Sequence, residues 1–124
     1  MILLLVEDNL PDALLVGEAI QTAELPVELY VESDGERALD FLMRAEDDVN
    51  SPHPDLLLLD LNLPKIDGLA VLRWLRARDA WKTLPVMIIT SSDAPEDRGE
   101  AALEAVRERT QELTNRFPLP YALV

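Results

Sequence analysis

Leu56-Leu57-Leu58-Leu59-Asp60-Leu61-Asn62-Leu63-Pro64-Lys65-Ile66-Asp67-Gly68 is the stretch on which the fold turns. Four leucines run straight into an aspartate. A short, nearly continuous apolar run of this kind reads as a strand buried on both faces. Pro64 and Gly68 then shape a loop, whose plainest reading is a turn leading into a helix. That helix is expected from about Asp67 to Arg78, with Val71, Leu72 and Leu75 inward.

The same alternation extends outward in both directions. Further apolar runs occur at Ile2 to Val6, Val27 to Val31 and Val86 to Ile89. A helix is expected between the first two, from about Pro11 to Glu24, with Ala13, Val16, Gly17 and Ile20 on one face. Pro11 suits a first helical turn. A second helix is expected from Gly35 to Glu46, and Asp47 to Pro54 reads as a polar loop. A β-α-β-α-β-α-β order implies an α/β fold, a doubly wound parallel sheet with helices on both faces. Ligands in such sheets bind at the carboxyl ends of the strands. Glu7-Asp8, Asp60 and Thr90-Ser91 occupy those ends.

The chain has 124 residues, 48% of them hydrophobic, which is one domain with one real core. Its formal net charge of −13 argues against nucleic acid and against anionic membrane surfaces as partners. Without cysteine there is no disulfide, thiolate chemistry or Cys-based zinc site. The opening apolar run is too short for a signal peptide or a membrane span and is followed by acids, so a cytoplasmic location is expected.

Glu7, Asp8 and Asp60 follow two strands that a parallel sheet would set side by side. Singly, each aspartate would read as a turn or helix-capping residue. Together, converging carboxylates repel unless a cation or protons compensate. An oxygen-rich pocket with few protein ligands suits Mg²⁺, and a carboxylate can attack phosphorus to give an aspartyl-phosphate. Thr90 offers a hydroxyl to a phosphoryl oxygen. His53, in a polar loop, is expected to be exposed and idle, and Trp74 and Trp81 to be packing residues. The four glycines are scattered, so no Gly-rich phosphate loop exists. Asn62 stands at the second Asp position of a DxDxT hydrolase motif and sets that class aside.

Val6 to Asn9 (VEDN), Leu56 to Gly68 (LLLLDLNLPKIDG) and Ile88 to Ser92 (IITSS) together resemble the receiver domains of two-component response regulators. The resemblance covers about residues 1–93 and implies a flavodoxin-like receiver fold. DLNLPKIDG, the extended loop before Pro54 and the turn Trp81 to Pro85 look more closely like stand-alone receivers paired with phytochrome-type histidine kinases. The resemblance implies phosphorylation of Asp60 by a sensor histidine kinase. It implies Mg²⁺ held by Asp8, Asp60 and the backbone carbonyl of Asn62, with Glu7 acting through water or from behind. Thr90 would swing toward the phosphoryl group and Ser91 would leave room for it. Such a protein is a signalling phosphoacceptor rather than an enzyme, with at most weak self-catalysed transfer and hydrolysis.

The carboxyl-terminal third is atypical. Receivers carry a lysine after their fifth strand, and the last lysine here is Lys82. If Tyr121 is the family's switch aromatic, Val124 stands where that lysine belongs. Asp93 to Asn115 reads as one long helix, with Leu103, Val106, Thr110 and Leu113 spaced as a stripe. Glu96, Glu100, Glu104, Glu108 and Glu112 form a row that reads as a solvated face. Tyr121 to Val124 is expected as a short edge strand. The chain thus reads as a single receiver domain over 1–124, with a family-like core at 1–93 and a divergent helix and tail at 94–124. Surplus apolar surface on the long helix suggests a homodimer. The alternative function is a degenerate receiver that binds partners without phosphorylation.

Overall fold

The computed structural model describes residues 1–60, 63, 65–89 and 95–116, the last of these by backbone alone at 95–98 and 114–116. Among the described residues four strands and four helices alternate: β1 (Ile2–Val6), α1 (Leu10–Thr22), β2 (Glu28–Glu32), α2 (Gly35–Asp47), β3 (Leu56–Asp60), α3 (Gly68–Arg76), β4 (Val86–Ile89) and α4 (Pro95–Arg116), with a 3-10 turn at Asp79–Trp81. All strand pairs are parallel, in the order β2-β1-β3-β4.

Strand position explains burial. β1 and β3 lie in the middle, and Leu3, Leu4, Leu5, Val6, Leu57, Leu58 and Leu59 are fully buried. β2 and β4 are edges and are only partly covered. Burial on both faces, expected of every run, therefore holds for the central pair alone. The alternating side chains feed two cores. Leu4, Val6, Leu57 and Leu59 pack with Ala38 and Leu42 of α2 and with Val71 and Leu75 of α3. Leu3, Leu5, Leu56 and Leu58 pack with Ala13, Val16 and Ile20 of α1 and with Ala102 and Val106 of α4.

The helices begin where short polar side chains satisfy free backbone N–H groups. Asn9, Asp34 and Asp67 cap α1, α2 and α3 by accepting from the amides of Asp12, Arg37 and Ala70. α1 stops at Thr22, two residues earlier than its periodicity suggests, because Glu24 turns into the left-handed region at φ 55°. The amides of Glu24 and Leu25 then bond back to the carbonyls of Gln21 and Ile20, a Schellman closure made without glycine. α3 ends at Arg76 rather than Arg78. The Arg76 guanidinium gathers the carbonyls of Trp81, Lys82 and Leu84 and holds the turn that follows. Within that turn Trp81 is buried, as expected of a packing residue. Trp74 is half-buried, with the Arg78 guanidinium 4.7 Å from its ring centroid.

α4 is 22 residues long and lies on the same face as α1. It runs back down the sheet: Arg109 donates to the Asp55 carbonyl at 2.7 Å, at the amino end of β3. Ala102 and Val106 are fully buried, and Leu103 and Ala105 pack partly beside them. Much of the apolar stripe expected to seek a second chain is thus spent within this one. Among the described residues no helix is long and apolar enough to cross a membrane.

Candidate functional site

β1 and β3 are neighbours in register, with Val6 opposite Leu59, so the residues that follow them emerge together at the carboxyl end of the sheet. Glu7 and Asp60 are buried and Asp8 is exposed. One oxygen from each of the three carboxylates lies within 4.8 Å of the others. The convergence expected from strand order is therefore present.

Local structure holds Glu7 and Asp60 in place. The Glu7 amide donates to the Glu32 carbonyl at 3.0 Å, extending the β1–β2 ladder by one step. The Glu7 carboxylate accepts from the Asn9 amide at 3.2 Å. Asn9 then caps α1, so the segment crosses from strand to helix in three residues. Asp60 is the last residue of β3 and pairs with Ile89 of β4, which fixes it between two strands.

Three oxygen donors of this sort fit a hard divalent cation, and the exposure of Asp8 leaves the cation open to water and to a phosphate group. Gly68 begins α3 and is buried. Asn62, Pro64, Thr90, Ser91 and Tyr121 lie outside the described residues, as does the short strand expected at Tyr121 to Val124. His53 is exposed, as expected, with its ring 6.4 Å from that of Trp81.

A second group of charges flanks the acids and was not singled out from the sequence. Asp34 is nearly buried and receives the Arg37 amide at 2.8 Å. That hydrogen bond, helped by Lys65, holds its carboxyl below the usual range, although burial works against it. Lys65 stands 3.6 Å from Asp34 and 3.8 Å from Glu36, on a left-handed backbone at φ 65°. Burial raises the Glu32 carboxyl above its usual value against the pull of Arg37 and Arg44. The available signal was Asp34-Gly35 directly before a helical pattern, which marks a cap.

Comparison with known proteins adds an independent line. Residues 3–108 match the family model described as the response regulator receiver domain. Response regulator Rcp1 of Synechocystis sp. (strain ATCC 27184 / PCC 6803 / Kazusa) is 42% identical over 96 residues, 77% of this chain and 65% of Rcp1. The aligned stretch thus spans just under two thirds of that relative. The crystal structure of Mn²⁺-bound Rcp1 superimposes with a TM-score of 0.67 at 32% identity, covering 99% of this chain and 98% of the other. The phosphorylated cyanobacterial phytochrome response regulator RcpA gives 0.67 at 28% identity, covering 97% and 98%.

Proposed function

This chain belongs to the response regulator receiver domain family, and we propose that it accepts a phosphoryl group on Asp60 from a sensor histidine kinase. The observation that carries the reading is the meeting of Glu7, Asp8 and Asp60 at the ends of two adjacent parallel strands. An Asp60 carboxylate oxygen forms the new bond to phosphorus. The bond from phosphorus to the donor's imidazole nitrogen breaks, and its electron pair stays with the imidazole. Mg²⁺, when held by Asp8 and Asp60 with Glu7 behind them, supplies positive charge to the phosphoryl oxygens. The Asn62 carbonyl would serve as a further ligand, and Thr90 and Ser91 would receive the phosphoryl group. The related Rcp1 has been crystallised with Mn²⁺, which supports an oxygen-ligated divalent ion.

The protein on this reading is a signalling phosphoacceptor that works in the cytoplasm through contacts with other proteins. Relatives described as phytochrome and bacteriophytochrome response regulators support a phytochrome-type kinase as the phosphodonor. Incubation with acetyl phosphate and Mg²⁺ should give a hydroxylamine-labile acyl phosphate that is absent from Asp60→Asn. Label that persists in Asp60→Asn, or that sits on a serine, would defeat the assignment.

One observation favours a narrower second reading. Residues 91–124 contain no lysine, the residue that in receivers pairs with the phosphoryl group. A chain that binds partners without phosphorylation would show no label under any donor, yet keep its partner affinity in Asp60→Asn.

A further inference from the structure

The outer edge of β4 has no strand beside it among the described residues. The Leu57 amide donates to the Pro85 carbonyl, so the Pro85 carbonyl faces β3. Backbone direction alternates along a strand, so Val86 and Ile88 turn their N–H and C=O groups outward. An open edge of this kind is a template for an added strand.

A groove of about 510 Å³ lies between this edge and α4. Its apolar lining includes Leu56, Val86, Met87 and Ile88, and its α4 wall carries Glu104, Glu108 and Glu112. All three glutamates are exposed. Arg109 also lines the groove, but its guanidinium is engaged by the Asp55 carbonyl and, at 3.1 Å, by Glu112. The groove is apolar below and acidic along one side.

Topology points to an occupant from another molecule. α1 serves a connection that steps from β1 to β2, and α3 serves one that steps the opposite way on the opposite face, so both have the same hand. α4 lies on the α1 face. Any parallel strand that followed α4 and joined the outer edge of β4 would complete a crossover of the other hand, which proteins almost never make. Charge disfavours a second copy: two edges meeting about a two-fold axis would bring two glutamate rows together on a chain of net charge −13.

We propose that the β4 edge binds an extended basic segment of another protein, added as a further strand. Its backbone bonds the outward groups of Val86 and Ile88. Alternate side chains, lysine or arginine, reach Glu104, Glu108 and Glu112. The intervening apolar side chains lie beside Val86 and Ile88 on the other face. This is strand addition with main-chain affinity and charge-based selection.

The test uses the full chain and a labelled octapeptide alternating lysine with valine. Fluorescence anisotropy reads binding, and amide hydrogen exchange reads the Val86 and Ile88 N–H groups. Binding should slow exchange at both amides by about tenfold or more at saturation. A peptide with glutamate for lysine, or one N-methylated along the edge facing β4, should do neither. Glu104→Gln/Glu108→Gln should weaken binding about tenfold at low salt, with the far-UV spectrum unchanged. Three results would overturn the proposal. In the first, Val86 and Ile88 are already protected in the free monomer, which puts the chain's own segment on the edge. In the second, protection rises with protein concentration alone, which puts a second copy there. In the third, the peptide binds without protecting either amide.

Discussion

Gly35 and Ile66 meet backbone to backbone, so the turn that opens α2 rests on the loop that follows Asp60. A Cβ at position 35 would collide with the Ile66 carbonyl oxygen and lie 2.9 Å from both its carbonyl carbon and its Cβ. Neither neighbour is the end of a flexible side chain, so the loop itself would have to move. Gly35→Ala should cost about 1–3 kcal/mol of stability by urea unfolding, as overpacking does. Because the displaced loop leads from Asp60, its acetyl-phosphate labelling should slow too. Unchanged stability would mean that the loop yields freely.

Metal binding should depend on the two acids that differ most in exposure. Calorimetry with Mg²⁺ should show weak binding in the native chain, since few ligands come from protein. The pair of substitutions Asp8→Ala and Asp60→Ala should abolish it. Binding that survives both changes would place the ion elsewhere.

Glu24 holds a left-handed conformation that costs a residue with a Cβ roughly 1–2 kcal/mol and costs glycine almost nothing. Glu24→Gly should therefore raise stability, by about 1 kcal/mol once the added freedom of the unfolded chain is deducted. Glu24→Ala should gain nothing. An equal response to both would show that the conformation is not strained.

The acid limb of the stability curve should carry the mark of Asp34. Its folded-state pKa lies below the ordinary 3.8, so its contribution is full above that value and is lost as pH falls through the lower one. Asp34→Asn keeps an oxygen for the Arg37 amide but cannot titrate, and its stability should fall less steeply below about pH 3.8. Glu32 works in the opposite sense. Its raised pKa makes its contribution full below 4.5 and removes it as pH climbs through the folded value. Identical acid limbs for the native chain and Asp34→Asn would refute the first assignment.

β1 and β3 were the most legible strands, because ILLLV and LLLLD are nearly continuous apolar runs. A parallel sheet was expected to set them side by side, and from that pairing the meeting of Glu7, Asp8 and Asp60 followed; that only these two are central was not read. The edges were less legible. Glu28 and Glu32 bracket β2, and a run mixed in this way does not announce which side of the sheet it joins. The end of α1 was missed because its left-handed residue is a glutamate, where glycine is the usual sign. The stripe on α4 was correctly read as apolar, but sequence spacing alone cannot say whether such a face meets its own sheet or another chain. Asp34 and Lys65 escaped notice because they are brought together by two loops far apart in the chain.

The packing of α4 over Leu3, Leu5 and Leu58 also bears on how the chain is made. A ribosome adds roughly 5–20 residues per second. β1 emerges first, and α2 and α3 can cover one side of the growing sheet soon afterwards. The other side keeps part of its leucine surface bare until Ala102 and Val106 arrive, roughly 5–20 seconds after Leu3 at that rate. During that interval the nascent chain presents a half-finished apolar wall, and its yield in the cell should be sensitive to chaperone supply and to codons that slow the stretch encoding α4.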